Sequence, residues 1–145
     1  MKKLLFFTLL IISSVNISAQ NWLTDFDEAK QIASKENKTI ILVFQGSDWC
    51  APCIKLDREI WSTKEFKAYA KEHYVMLQAD FPRSKKNKLS KEQQEKNNKL
   101  AEKYNKNGYF PFVVVLDKNG KVLEETGYFK TTPHGYIEQL NSSSK

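Results

Sequence analysis

The sequence predicts an α/β sandwich, in which helices cover both faces of a central mixed β-sheet. The continuously apolar, β-branched run from Thr39 to Phe44 is typical of a strand buried on both faces. After two helical patterns the chain returns as a second apolar run, Tyr74 to Ala79. Near the end, two strand-like segments are joined by Asn119-Gly120, a favourable hairpin turn. Strands that alternate with helices and finish in a hairpin give this architecture.

The first nineteen of the 145 residues have the layout of a secretory signal peptide. Lys2 and Lys3 precede the apolar run Leu4 to Ile12, and a polar stretch then ends at Ala19. The apolar run is about half the roughly 20 residues that a membrane-spanning helix needs. We therefore expect cleavage near Ala19 and a soluble periplasmic or secreted protein, with residues 20–145 forming a single domain.

The first helix and the first strand are predicted from residue spacing. Between Asp25 and Lys35 the apolar residues recur three and four positions apart, as on one face of a helix: Phe26, Ala29, Ile32 and Ala33. This helix is expected to cover the sheet. The strand Thr39 to Phe44 has no polar face, which favours a central place in the sheet.

Two further helices are predicted before the next strand. Pro52 suits the first turn of a helix, where its missing N–H is not needed, and apolar residues continue at Ile54, Leu56 and Ile60. Ser62 or Thr63 is expected to cap the next helix, with Glu65 in capping-box spacing from Ser62. The strand Tyr74 to Ala79 follows.

The last part of the chain predicts a polar helix, a hairpin and a closing helix. Ser90 and Gln93 have capping-box spacing, and Gly108 is the expected end of the helix that they open. The hairpin joins Phe112–Leu116 to Val122–Glu125 as antiparallel neighbours. Thr132-Pro133 then has the capping residue and first-turn proline of a short final helix.

The charge of the chain is concentrated in one lysine-rich segment. Removal of two lysines with the signal peptide leaves 21 basic against 17 acidic residues, a net charge of +4. Arg83 to Lys106 alone holds nine basic residues against three glutamates. Only Tyr104 is aromatic there, which argues against a nucleic-acid site. The preferred interpretation is a solvated helix face, and a docking surface for an acidic partner is the alternative.

The only two cysteines stand three residues apart in Trp49-Cys50-Ala51-Pro52-Cys53, between a predicted buried strand and a helix. At a helix start, backbone N–H groups and the helix dipole favour a Cys50 thiolate, the species that attacks disulfides. Cys53, one turn further on, is then placed to resolve the mixed disulfide. Cys50 and Cys53 are the predicted catalytic pair.

Two other interpretations of the pair are weaker. As a structural staple so small a loop stabilises by only about 2 kcal/mol, against about 3 for a 15-residue loop. A zinc or copper site would need His73 and His134 to complete the ligand set, and neither has the short spacing of a zinc module. We expect no metal and no organic cofactor.

The cysteine motif, together with Phe110-Pro111-Phe112 at the start of a later strand, resembles the thioredoxin family over about Asp25 to Leu140. The resemblance implies a thioredoxin-like sandwich in which Pro111 is cis and faces the cysteine pair. It also implies that the backbone at Phe110 binds the substrate chain. Trp49, Ala51 and Pro52 are the further predicted substrate-binding residues. Trp49 is equally consistent with packing in the core.

Three departures from the family pattern bear on function. The buried acid of thioredoxins aligns with Phe44, so the group that deprotonates Cys53 is left open. Ala51 replaces the usual glycine and no histidine lies between the cysteines, which favours a reductase over a strong oxidant. The chain between Cys53 and Pro111 is longer than in minimal thioredoxins, and the lysine-rich segment fills much of the excess.

These observations predict a monomeric thiol-disulfide oxidoreductase that acts on protein substrates. In an oxidising compartment a reductase needs a source of electrons, and we expect a membrane donor. The alternative is a non-enzymatic thioredoxin-like binding module, which holds a protein near Pro111 and whose disulfide is structural.

Overall fold

The computed structural model describes residues 20–142, and the predicted signal peptide lies outside these residues. The described chain contains four strands and five helices in the order that the sequence predicts. In chain order they are α1 (Phe26–Glu36), β1 (Thr39–Gln45), α2 (Ala51–Leu56, continued by a π-helical turn Asp57–Trp61), α3 (Lys64–His73), β2 (Tyr74–Asp80), α4 (Lys91–Tyr104), β3 (Phe112–Leu116), β4 (Val122–Thr126) and α5 (Pro133–Leu140). A short 3₁₀ turn, Lys85–Asn87, precedes α4.

The sheet is mixed and has the order β2-β1-β3-β4. Strand β1 runs parallel to β2 and antiparallel to β3, and β3 pairs with β4 as an antiparallel hairpin. The central place predicted for Thr39 to Phe44 is therefore confirmed. Phe44 pairs with Phe112, so the carboxyl end of β1 and the start of β3 meet at one edge of the sheet.

Both faces of the sheet are covered, which confirms the α/β sandwich. Because successive strand side chains point to opposite faces, Ile41 and Val43 pack on one side among residues of α2, α3 and α5. Ile40, Leu42 and Phe44 pack on the other side, against α1 and α4. All five side chains are buried, so β1 carries residues of both cores.

Two details of the helix ends differ from the sequence-based expectations. Helix α3 is capped by Thr63, whose hydroxyl accepts from the Phe66 N–H, whereas the Ser62 hydroxyl donates to Asp57. The capping box between Ser62 and Glu65 is therefore wrong, since Ser62 is still engaged with the preceding helix. Helix α4 ends at Tyr104, before Gly108.

The early end of α4 has a physical cause in Asn105. Its side-chain amide donates to the Tyr109 carbonyl and its side-chain oxygen accepts from the Tyr109 N–H, both at 2.9 Å. This clamp turns the chain immediately after Tyr104. Gly108, at φ 66°, lies inside the turn that the clamp closes.

Within residues 20–142, every helix is too short or too polar to cross a membrane.

Candidate active site

The two cysteines lie where β1 gives way to α2, and they are joined as a disulfide with their Cα atoms 5.2 Å apart. Cys50 is the N-cap of α2, and its Sγ accepts from the Cys53 N–H at 3.3 Å. Only 3% of Cys50 and 4% of Cys53 is exposed. In the reduced protein the same N–H and the helix dipole favour a thiolate at Cys50.

The local sequence explains why the pair is held at a helix start. A turn closed by the Cys50 N–H and the Gly46 carbonyl at 2.9 Å ends the strand. Along α2, Cys53, Leu56 and Ile60 are buried on one face. Ile54 is 48% exposed because at about 100° per residue it points away from Leu56. An apolar side chain therefore stands in solvent beside the resolving cysteine.

Trp49 is half-buried and connects three parts of the site. Its indole N–H donates to the Phe81 carbonyl at 2.8 Å, and its ring meets Phe110 edge-on with centroids 5.5 Å apart. A Cβ at Gly46 would lie 2.2 Å from the indole ring, so only glycine fits beneath it. Trp49 thus packs against the loops that border the cysteines.

The other predicted substrate-binding residues lie around the pair. Ala51 and Pro52 are exposed on the first turn of α2. The Phe110–Pro111 peptide bond is cis, the isomer that the resemblance implies. Phe110 contacts both Trp49 and Phe81. Since β3 begins beside the carboxyl end of β1, Pro111 stands at the same edge of the sheet as the β1–α2 connection.

The position of the family's buried acid is occupied by Phe44, which is fully buried and stacks on Phe112. The polar side chains near Cys53 lie away from Phe44, in a cleft of ≈ 440 Å³ that Cys53 also lines. Gln45 of β1 and Gln78 of the neighbouring strand β2 lie there, and the Gln45 side-chain amide donates to the Gln78 side-chain oxygen at 3.1 Å. The cleft has one carboxylate among its lining residues, which are Trp22, Gln45, Ser47, Cys53, Ile54, Asp57 and Gln78.

Sequence reasoning missed an anchor formed by Asp48. Its carboxylate accepts from the Arg83 N–H and the Ser84 N–H at 2.9 Å each, and from the Asn87 side-chain amide at 3.0 Å. The Arg83 N–H is the main cause that lowers the pKa of Asp48. The Arg83 guanidinium lies over the Trp49 ring, 3.7 Å from its centroid. No local pattern marks Asp48, because its partners are 35 to 39 residues away.

The two histidines are occupied elsewhere. His73 stacks on Tyr69 with ring centroids 4.1 Å apart. His134 lies 3.9 Å from carboxylate oxygens of Glu65 and Glu138. Across residues 20–142, no three His, Cys, Asp or Glu side chains are grouped as metal ligands would be.

Comparison with known proteins agrees with this geometry. A family model described as thioredoxin-like matches residues 21–118. The chain belongs to the thioredoxin-like family. It is 34% identical over 134 residues to the disulfide bond reductase DsbH of Chlamydia pneumoniae, a match that covers 92% of this chain and 76% of that protein.

Superposition on solved structures agrees with this family assignment. A structure titled DsbH Oxidoreductase superposes with a TM-score of 0.79 at 32% identity, covering 99% of this chain and 94% of the other. The disulphide isomerase from Xylella fastidiosa Temecula1 superposes at 0.60 with 20% identity, over 82% and 88% of the two chains, and supports the fold alone. This thioredoxin-like chain is a protein disulfide oxidoreductase with a redox-active disulfide.

Proposed function

We propose that this protein reduces disulfides of protein substrates outside the cytoplasm, with Cys50 as the nucleophile and Cys53 as the resolving thiol. The observation that carries the proposal is the Cys50 Sγ at the start of α2, which accepts from the Cys53 N–H. That N–H and the helix dipole stabilise the thiolate in the reduced protein. The similarity to a protein named a disulfide bond reductase supports the reductive direction.

The reaction transfers two electrons in two exchanges. The Cys50 thiolate attacks a substrate disulfide: a bond forms between Cys50 and one substrate sulfur, and the other sulfur leaves as a thiolate and takes a proton. Cys53, once deprotonated, attacks Cys50 Sγ. The Cys50–Cys53 bond forms, and the second substrate sulfur leaves as a thiolate and is protonated. The substrate gains two electrons and two protons, and the protein ends as the disulfide.

The proton of Cys53 passes to Asp57 in this proposal. Phe44 cannot accept a proton, whereas the Asp57 carboxylate lines the cleft that Cys53 also lines. Asp57 follows Cys53 by four residues, a spacing that puts two side chains on one face of a helix. The cleft is open to solvent, so a water molecule can carry the proton between the two groups.

Substrate binding and location follow the same proposal. Trp49, Ala51, Pro52, Phe110 and Pro111 border the groove in which the substrate chain lies. Residues 1–19 direct the protein to the periplasm or the exterior, where it acts as a monomer. Because that compartment is oxidising, a membrane protein with a reactive thiol pair supplies the two electrons that restore the Cys50–Cys53 dithiol.

The reduction potential of the pair tests the direction of the reaction. Mature protein is equilibrated in glutathione buffers of known ratio, and the two forms are separated after alkylation. We expect a value near about −270 mV, as for a reductase. A value near about −120 mV would make the protein an oxidant, and a value far below about −300 mV would favour a structural disulfide and the binding-module alternative.

Two variants test the roles of the cysteines. Cys50→Ser is expected to abolish the reduction of insulin disulfides by the protein. Cys53→Ser is expected to accumulate a covalent adduct between Cys50 and the substrate, which mass spectrometry detects and dithiothreitol releases. If Cys53→Ser forms no adduct and Cys50→Ser does, the two roles are exchanged.

A further inference from the structure

The loop that follows β2 borders the active site with positive charge. It carries Arg83, Lys85, Lys86 and Lys88, and all four side chains are exposed. Residues 82–91 contain these four, Lys91, and no acidic residue. Among the described residues 20–142, the four side chains have no carboxylate within ion-pair distance. Their charges are therefore available to a partner.

The loop is fixed to the site. The three hydrogen bonds to Asp48 hold residues 83–87 beside a residue two positions before Cys50. The Trp49 indole N–H donates to the Phe81 carbonyl at the start of the loop, and the Arg83 guanidinium lies over the face of that indole ring. A substrate that approaches Cys50 past Trp49 therefore meets the Arg83 guanidinium.

The acidic groups nearby do not cancel this charge. Asp48 and Asp80 are the carboxylates at the base of the loop, and Asp80 accepts from the Ser47 N–H and hydroxyl at 2.9 and 2.6 Å. Asp57, in the cleft beside Cys53, is the third carboxylate of the site. The four loop cations thus outnumber these three carboxylates, and all four cationic side chains are exposed.

The exposed charges of the loop act on the encounter between protein and substrate more than on the final binding affinity. The Debye length is about 8 to 10 Å at physiological salt, so the loop influences groups that approach within about two side-chain lengths of it. Complementary charge of this kind raises association rates about tenfold or more, and the effect falls with salt. Attack by Cys50 is bimolecular, so its rate reports that encounter.

We propose that residues 83–88 select disulfides flanked by acidic residues, so that the preferred partner is a protein with Asp or Glu next to its reactive cysteines. This inference rests on the proposed function, since it concerns the substrate of the same cysteine pair. The exchange chemistry is unchanged. The loop contributes attraction of the substrate, and Arg83 provides a positive charge that lies over the Trp49 ring.

The test uses three disulfide peptides that are identical except for the residues beside each cysteine, which are Glu, Gln or Lys. Mature protein is reduced beforehand, and the rate of each reduction is measured by stopped flow at about 20 and about 300 mM NaCl. We expect the Glu peptide to react about tenfold faster than the Lys peptide at low salt, and the ratio to shrink at high salt.

Two sets of variants assign the preference to the loop. The triple Lys85→Gln, Lys86→Gln, Lys88→Gln is expected to reduce the ratio several-fold with little change for the Gln peptide. Arg83→Gln is expected to reduce the ratio as well. The matched control is Lys35→Gln, Lys118→Gln, Lys121→Gln. It removes the same charge from exposed residues at the opposite end of the sheet and is expected to keep the ratio.

The outcomes separate this inference from the proposed function. Equal rates for the three peptides, or an equal fall in ratio for the loop triple and the control triple, would overturn the acidic preference while leaving reduction intact. Failure to reduce even the Gln peptide would overturn the proposed function and this inference together. A uniform slowing of all three peptides by Arg83→Gln, with the ratio kept, would overturn the part of this inference that assigns charge recognition to Arg83.

Discussion

At the scale of single residues, the cysteine pair has no carboxylate at the position of the family's buried acid. The fully buried Phe44 provides no proton acceptor, and it faces the core formed with α1 and α4. The cleft beside Cys53 lies near the strand ends, where Gln45 and Gln78 are hydrogen-bonded to each other. We therefore assign proton transfer to the Asp57 carboxylate, one helical turn beyond Cys53, instead of to a buried group at position 44.

Asp57→Asn tests that assignment. We expect the first exchange to keep its rate and the mixed disulfide to persist about tenfold longer at pH 7, below the 10²- to 10⁴-fold typical of a general base because water also reaches the cleft. The defect should diminish as pH rises toward about 8.5, where a free thiol ionises unaided. Quenched-flow alkylation and mass spectrometry follow the mixed disulfide across pH.

Asp27→Asn is the matched control, because it removes an exposed carboxylate of α1 that pairs with Lys30. It is expected to leave both exchanges unchanged. A lifetime of the mixed disulfide that is the same in Asp57→Asn and in the unmodified protein at every pH would remove Asp57 from the mechanism.

At the scale of secondary-structure elements, the sequence predicted strands β1 to β4 and helices α1 to α5. Continuous apolar runs, apolar residues at helical spacing, capping residues or a hairpin turn mark each of them. The positions at which the helices begin and end were harder to predict. Ser62 and Thr63 are both capping residues, and the sequence does not show that the helix before them closes with a π-helical turn. That turn extends to Trp61 and keeps Ser62 on Asp57, so Thr63 is the first residue free to cap α3.

The adjacent hydroxyls allow a direct comparison. Thr63→Ala removes the acceptor of the Phe66 N–H and is expected to lower the free energy of unfolding by about 1 kcal/mol. Ser62→Ala removes only an exposed hydrogen bond to Asp57, so a change within about 0.5 kcal/mol is expected. Urea unfolding of the oxidised proteins, followed by circular dichroism, measures both. Equal losses of unfolding free energy in the two variants would show that Ser62 also caps α3.

At the scale of the whole molecule, the site is assembled from segments far apart in the chain. The cysteine motif was predicted from its local spacing, and the cis-proline segment was predicted from the resemblance to the thioredoxin family. The basic loop was recognised only as a charge-rich stretch. Its place beside Trp49 depends on Asp48, whose hydrogen bonds span 35 to 39 residues. Contacts of that range leave no periodicity in the sequence, so only the folded structure reveals them.

The sheet also divides the interior into two cores, and this division has a measurable consequence. Ile40 packs with α1 and α4, whereas Ile137 of α5 packs on the opposite face. Each Ile→Val change deletes one buried methylene-sized group and is expected to lower the free energy of unfolding by about 0.5 to 1.5 kcal/mol. Since strand β1 and its neighbours separate the two sites, the double variant should lose the sum of the two values within about 0.5 kcal/mol.

Urea unfolding of the two single variants and the double variant measures the three losses. A larger departure from the sum would mean that the sheet transmits repacking from one core to the other, and that the helices near Cys53 respond to changes on the far face.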